Sequence, residues 1–258
     1  MRARFIISDV RKGSSMSFLV TFGAALHLLV MTPLCAFAAL IASFVDRKGF
    51  IWWPISRFWG LTVLWLVTRR ALVRGLDKVN AENGAILMAN HTSHLDPPLI
   101  IAINKIPIRF LTKKILFYFP FFGWALWMTG HIPINRSDRS SAFSSLDRAA
   151  ELISTGRLVA IFPEGTRSDT KELHPFKKGG FVLAVKGKIP IIPVGIAGTQ
   201  EAMPKGWCWM KRGSVRVVFG EPIDTSGYTL ETKEELMERV RTRMLEHRDE
   251  AESWKENA

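Results

Sequence analysis

Ala85-Ile86-Leu87-Met88-Ala89-Asn90-His91-Thr92-Ser93-His94-Leu95-Asp96-Pro97-Pro98 is the stretch on which the fold turns. Its first five residues are apolar throughout and follow Gly84, which reads as a buried strand. A polar break comes next. Asp96 then precedes two prolines and the apolar run Leu99-Ile100-Ile101-Ala102-Ile103. Asp suits a helix N-cap and Pro the first helical position. His91 therefore falls just past the carboxyl end of a strand, at the mouth of a helix. In open α/β sheets that is where ligands bind.

The spacing narrows the chemistry. On one helix, residues five apart point about 140° away from each other. His91 and Asp96 meet only if the chain between them turns, as at a strand-to-helix junction. A carboxylate against an imidazole fixes its tautomer and raises its basicity, which makes a general base for a hydroxyl or thiol. No G-x-S-x-G elbow occurs in the chain. Such a base then acts on a substrate hydroxyl instead of an enzyme serine. Spacing alone leaves a second reading open, a loop histidine beside an Asp that only caps a helix.

At 258 residues the chain has room for one large domain, or for one domain and an appendage. It carries a formal charge of +12 and is 48% apolar. A strongly basic chain wants an anionic partner. The apolar richness favours a membrane over nucleic acid. Cys35 and Cys208 form neither a disulfide framework nor a metal-ligand cluster, which suits a reducing compartment.

Ser17 to Val45 holds no charged residue and exceeds the roughly 20 residues that span a bilayer. Pro33 interrupts it, which predicts one kinked spanning helix or two half-helices in one leaflet. Basic residues flank both ends, Arg2, Arg4, Arg11 and Lys12 before, Arg47 and Lys48 after. Such flanks fit both ends staying on the cytoplasmic side. Phe50 to Pro54 and Phe58 to Val67 follow, rich in Trp and closed by Arg69, Arg70 and Arg74. Trp beside Arg predicts a bilayer-interface stretch, with a buried Trp-bearing helix as the alternative. Residues 1–75 are thus expected to anchor the chain, and 76–258 to form the catalytic domain.

In that domain, Ala85–Ala89, Arg109–Leu111, Leu158–Phe162, Ile189–Ile192 and Val215–Phe219 read as strands. Pro98–Asn104, Ser140–Ser154, Gly180–Lys186 and Thr232–Glu256 read as helices. The interleaving predicts an α/β fold with a mixed, largely parallel sheet flanked by helices, preceded by the membrane-embedded helical segment. Leu236, Val240 and Met244 mark one apolar stripe on the last helix.

Three further constellations carry chemistry. Lys113-Lys114 abuts the apolar run Ile115 to Trp124. A lysine there suits an oxyanion or an acidic head group, or is a solvated surface pair. Gly130-His131-Ile132-Pro133-Ile134-Asn135-Arg136 ends in an arginine, the side chain that forks onto phosphate. Phe162-Pro163-Glu164-Gly165-Thr166-Arg167-Ser168 puts a turn at a strand's carboxyl end. It offers a backbone N–H at Gly165, the Thr166 hydroxyl and the Arg167 guanidinium as a phosphate cradle, with Glu164 holding an arginine or contacting a substrate hydroxyl. A plain β-turn is the alternative.

Together these motifs resemble the glycerolipid acyltransferases, and within them the bacterial 1-acyl-sn-glycerol-3-phosphate acyltransferases. The family's H-x-x-x-x-D is matched by His91 to Asp96, its second motif by Gly130 to Arg136. F-P-E-G-T-R-S stands in full at Phe162–Ser168, and Ile189-Pro190-Ile191-Ile192-Pro193-Val194 resembles the fourth. The likeness covers roughly Leu76 to Asp224. It implies that His91 deprotonates the sn-2 hydroxyl of lysophosphatidic acid and that Asp96 orients it. The alkoxide would attack the thioester of acyl-CoA or acyl carrier protein, giving phosphatidic acid with no acyl-enzyme, cofactor or metal. Arg136, Glu164, Gly165, Thr166 and Arg167 would bind the head group, and Lys113 would help the oxyanion. Ile115 stands where members often carry Glu. The resemblance places the enzyme on a bacterial inner membrane, its catalytic domain on the cytoplasmic face and in contact with membrane phospholipid.

Three rivals remain. The acceptor is lyso-ornithine lipid, glycerol-3-phosphate or another lysophospholipid. A metal-dependent hydrolase uses His91, His94 and Asp96 with His131 or His174. A membrane-binding module does no chemistry.

Overall fold

The computed structural model describes residues 2–79, 84–135, 139–170, 172–206 and 210–254. Arg136 and Cys208, both singled out from the sequence, lie outside the described residues. Seven strands form one sheet: β1 (Thr68–Arg74), β2 (Ala85–Ala89), β3 (Ile108–Lys113), β4 (Ile132–Ile134), β5 (Leu158–Ile161), β6 (Ile191–Ala197) and β7 (Gly213–Phe219). Their order across the sheet is β1-β7-β6-β2-β5-β3-β4. The run from β6 to β4 is parallel throughout, and β7 meets β6 antiparallel. The sheet is therefore mixed and largely parallel, as the interleaved pattern predicts.

Helices cover both faces: α1 (Arg2–Val45), α2 (Trp52–Val67), α3 (Asp96–Ile103), α4 (Phe122–Met128), α5 (Arg139–Ser154), α6 (Gly179–Gly187), the single turn α7 (Thr199–Ala202) and α8 (Lys233–Ser253). The pleat explains why β2 is apolar at every position, since successive side chains leave opposite faces. Ala85, Leu87 and Ala89 join one core with Trp52, Trp53, Leu64, Leu99 and Ile100 of α2 and α3. Ile86 and Met88 join the other with Leu146, Ala149, Phe181, Leu236, Val240 and Met244 of α5, α6 and α8. A strand with two buried faces has no polar side to show.

Two expectations need correction here. Residues 68–74 sit inside the segment 1–75 read as anchor, yet they form β1, paired in parallel with β7. Trp52 and Trp53 do not lie at a surface. They are 0% and 2% exposed and pack in the α/β core, because α2 lies across α3. Gly60 marks the crossing: a Cβ there would come within 2.8 Å of the Pro98 carbonyl oxygen. The other face of α2 stays open at Phe58, Leu61 and Trp65.

The helix α1 runs through Pro33 without a break. It packs antiparallel to α2, as two polar links show: His27 Nε2 lies 2.8 Å from Thr62 Oγ1, and Trp59 Nε1 donates to Thr32 Oγ1 at 3.0 Å. Asp46 turns the corner, its carboxylate accepting the backbone N–H groups of Lys48, Gly49 and Ile51. By length and composition, Ser17–Val45 is one helix able to cross a membrane. Its open surface carries Phe18, Phe22, Leu26, Leu29, Leu34, Phe37, Ile41 and Phe44.

Candidate active site

The parallel strands bring their carboxyl ends to one edge. Across that edge, in sheet order, β6 leads to Thr199, β2 to His91, β5 to the loop Phe162–Ser168, and β3 ends in Lys113. Asn90 extends the β2–β6 ladder with its side chain. Its Nδ2 donates to the Ile196 carbonyl at 2.9 Å, and its Oδ1 accepts the Ile196 N–H at 2.7 Å. The residue before the histidine is thus fixed as if it were still strand.

His91 Nδ1 lies 2.8 Å from Asp96 Oδ2. Asp96 is fully buried, whereas the His91 side chain is 17% exposed. The same Oδ2 accepts the backbone N–H groups of Thr92 at 2.8 Å and Ser93 at 2.9 Å. Asp96 therefore does not cap its own helix, as its place before two prolines suggests. Its carboxylate turns back onto the loop and folds residues 91–93 around itself. An ionised carboxylate only accepts, so Nδ1 carries the hydrogen and the neutral imidazole keeps its lone pair on Nε2. That is the tautomer a general base needs.

The third motif grips this loop from β5. Glu164 Oε1 accepts the His91 N–H at 2.8 Å, and Oε2 accepts the His174 N–H at 2.9 Å. Ser168 N–H donates to the His91 carbonyl at 2.7 Å. Glu164 is 2% exposed, and burial raises its pKa above the ordinary carboxylate value. The sequence reading gives Glu164 to an arginine or a substrate hydroxyl, whereas its two oxygens are occupied by backbone amides. Gly165, at φ +75°, closes a tight turn, and its N–H donates to the Phe162 carbonyl at 3.0 Å instead of facing a ligand. Thr166 is exposed at the tip of the turn, and Arg167 is half-buried.

An aromatic column backs the imidazole. The His91 and Phe162 rings stack with centroids 4.2 Å apart, Phe162 stacks on Phe110 at 6.4 Å, and Phe110 on His131 at 5.9 Å. His131 is buried, and its Nδ1 accepts the Phe110 N–H at 3.1 Å. Burial, then the charge of Arg109, holds its pKa down at about 3. His131 is neutral and structural.

The pKa of His94 is held down by partial desolvation first, then by the positive charges of Arg167 and Lys113, against the opposing charge of Asp96. Arg167 and Lys113 thus stand close enough to act on the loop that bears His91. Among the described residues no three His, Cys, Asp or Glu side chains gather to hold a metal ion. From Lys114, the residue after β3, opens an apolar groove of about 460 Å³, lined by Lys114, Phe117, Tyr118, Trp124, Trp127 and Met128 among others. Its volume lies in the range of small-molecule sites. Beside α4, Phe121 meets Phe37 of α1 edge to face.

Sequence reasoning missed three of these parts. Phe162 and Asn90 stand inside or beside the motifs, but a stack and a side-chain ladder follow only from strand order. Thr199 lies beyond the fourth motif, and the adjacency of β6 to β2 is what brings it to the site.

A family model described as Acyltransferase matches residues 70–197. A 1-acyl-sn-glycerol-3-phosphate acyltransferase of Saccharomyces cerevisiae is 33% identical over 219 residues, 82% of this chain and 72% of the yeast protein. A chloroplastic 1-acyl-sn-glycerol-3-phosphate acyltransferase of Brassica napus is 36% identical over 153 residues, 58% of this chain. The match spans 44% of that plant protein's length, and the same share of a second one from Arabidopsis thaliana. The crystal structure of PlsC from Thermotoga maritima, a 1-acyl-sn-glycerophosphate acyltransferase, superposes with a TM-score of 0.80 at 26% identity, covering 93% of this chain and 98% of PlsC. The chain belongs to the acyltransferase family that includes the 1-acyl-sn-glycerol-3-phosphate acyltransferases.

Proposed function

We propose that this protein transfers an acyl chain from acyl-CoA or acyl carrier protein to the sn-2 hydroxyl of lysophosphatidic acid, giving phosphatidic acid. The observation that carries the reading is the 2.8 Å contact between His91 Nδ1 and buried Asp96, at the carboxyl edge of a parallel sheet. Nε2 takes the proton of the acceptor hydroxyl as its oxygen attacks the thioester carbonyl. The carbon–sulfur bond of the tetrahedral intermediate then breaks, and the imidazolium returns its proton to the departing thiolate. Asp96 balances the imidazolium charge in between. Lys113 stabilises the oxyanion.

Arg167 and Thr166, with Arg136 where the second motif ends, bind the phosphate. Gly165 shapes the turn that presents Thr166 and Arg167, and Glu164 holds that turn against His91. The groove at Lys114 takes acyl chain. The open faces of α1 and α2 rest in the bilayer, and the catalytic domain works on the cytoplasmic face of a bacterial inner membrane. The chemistry uses the thioester as co-substrate and needs no metal or other cofactor.

The test is acyl transfer from a labelled thioester to lysophosphatidic acid in detergent, following thiol and phosphatidic acid together. The parent is expected to make both in equal amounts, and a folded His91→Ala variant neither. Thiol without phosphatidic acid removes the acceptor assignment, and with it the roles given to Arg136 and Arg167. Product from another lysolipid or from glycerol-3-phosphate names the acceptor instead.

A further inference from the structure

Asp96 is held from outside its own motif. Thr199, fully buried at the start of α7, donates its hydroxyl to Asp96 Oδ1 at 2.6 Å. The Thr92 hydroxyl lies 3.2 Å from the same threonine oxygen. All contacts of Asp96 with the His91 loop fall on the other oxygen, Oδ2. Among the described residues, Thr199 is the group bonded to Oδ1. Gly198, at φ +89°, follows β6 and turns the chain where Thr199 meets Asp96 and Thr92, beyond the end of β2.

We propose that Thr199 is a positioning residue for acyl transfer: its hydroxyl fixes the rotation of the Asp96 carboxylate, and so the aim of His91. Two backbone amides pin Oδ2 from one side. They leave the carboxylate free to tilt about that end. A third fixed point on Oδ1 defines its plane, and with it the direction in which Oδ2 meets Nδ1 of His91, 2.8 Å away. The donor also spreads the negative charge that faces the imidazole. Hydrogen bonds to a charged form stabilise it, so their loss concentrates charge on the remaining oxygen. An imidazolium beside a less-shared carboxylate is more stable, and His91 then holds its proton to higher pH.

The proposal rests on the general-base reading of His91, so its test includes a measurement without substrate. Full-length parent, Thr199→Val and Thr199→Ser are compared for kcat and both KM values. Carbethoxylation of His91 is followed against pH, with a His91→Ala background subtracted. Charged and titratable groups facing His91 are Asp96 and His94 on its own loop and Glu164 from the β5 loop, with Arg167 and Lys113 acting on His94. None of them is altered.

Thr199→Val is expected to lose about tenfold in kcat, the size of one hydrogen bond to a charged group, with both KM values unchanged. Its His91 midpoint moves to higher pH, and Thr199→Ser restores both. A Thr199→Val with the parent's kcat and midpoint overturns the proposal. So does a Thr199→Ser as impaired as the valine variant, or a fall in kcat with an unmoved midpoint, since either assigns Thr199 to packing. If the valine variant does not fold, Thr199→Ala is read in its place. If the parent transfers no acyl group, the general-base reading falls, and the midpoint comparison alone decides the positioning.

Discussion

The imidazole of His91 lies against the ring of Phe162, with centroids 4.2 Å apart and planes 21° from parallel. His91 follows β2 and Phe162 follows β5, which are parallel neighbours in register from Ala85–Leu158 to Met88–Ile161. The stack is therefore a consequence of strand pairing. It gives the base a flat wall that stops the ring from swinging off Asp96. Such aromatic contacts contribute about 0.5–1.5 kcal/mol beyond burial. Phe162→Leu is expected to lower kcat by up to about tenfold with both KM values near the parent's. Steady-state kinetics checks this, and a raised acceptor KM with unchanged kcat contradicts it.

Asp96→Asn tests the tautomer. All three loop contacts fall on Oδ2, so an amide either keeps its oxygen there and loses the charge that balances the imidazolium, or sets its N–H against Nδ1 and against the Thr92 and Ser93 amides together, which forces the wrong tautomer. Where Asp is replaced by Asn in a Ser-His-Asp triad, kcat falls about 10⁴-fold through the wrong tautomer. A loss of about 10³-fold or more is expected here. Purified variant, assayed for transfer and for thermal unfolding, decides whether the loss is chemical or a failure to fold.

Glu164→Gln separates a clamp from a ligand. Gln accepts through one atom where Glu164 accepts through two, so one buried N–H of His91 or His174 loses its partner. Leaving such a group unsatisfied costs about 1–3 kcal/mol. The clamp predicts a lower melting temperature and a lower kcat. An acceptor KM that rises alone, with the melting temperature unchanged, returns Glu164 to the head group.

The buried His131 sets a pH limit on stability. Its pKa falls from 6.5 to about 3 on folding. Between those values the unfolded chain binds the extra proton, so stability rises with pH across that window. The contribution of His131 is intact above 6.5 and is lost as pH falls toward 3. His131→Asn keeps a side-chain acceptor for the Phe110 N–H and removes the titration. Its melting temperature is expected to drop less steeply than the parent's between pH 6.5 and the acid end. Parallel slopes for the two proteins refute the assignment.

Gly60→Ala sets two magnitudes against each other. Alanine improves helix propensity by about 1 kcal/mol. Overpacking typically costs about 1–3 kcal/mol, and here the new Cβ meets backbone, the Pro98 carbonyl at 2.8 Å, which cannot rotate away. The clash wins. A melting temperature below the parent's is expected, with activity reduced because α3 carries Asp96 at its first turn. A variant more stable than the parent shows that α2 shifts freely over α3.

The parallel centre of the sheet is readable from the sequence because its strands are buried on both faces. Ala85–Ala89 and Leu158–Phe162 show that burial as unbroken apolar runs. Strand β1 is not readable in the same way. It is an edge, and Arg69, Arg70 and Arg74 make Thr68–Arg74 look like the basic border of a membrane segment. Charges of that kind blunt an edge strand against further pairing. Trp52 and Trp53 mislead for a related reason: composition does not say which side of an amphipathic helix meets protein and which meets lipid. The His91–Asp96 pair is within reach of sequence spacing. The role of Glu164 is not, since a carboxylate is seldom buried, and only the folded loop shows that it serves backbone amides. Thr199 depends on β6 lying beside β2, a neighbourhood that no local pattern encodes.

Val67 ends α2, and Thr68 begins β1, with no residue between them. The Thr68 hydroxyl also bonds back to the Leu64 carbonyl at 2.7 Å. Helix and sheet are thus welded, not hinged. A direct join of this kind ties the height and tilt of the edge that carries His91 to the lie of α2. The protein works like a tool on a fixed stand. Under the proposed function a lipid acceptor has to rise to that elevation, and how far a molecule climbs out of its layer becomes a criterion for selecting it.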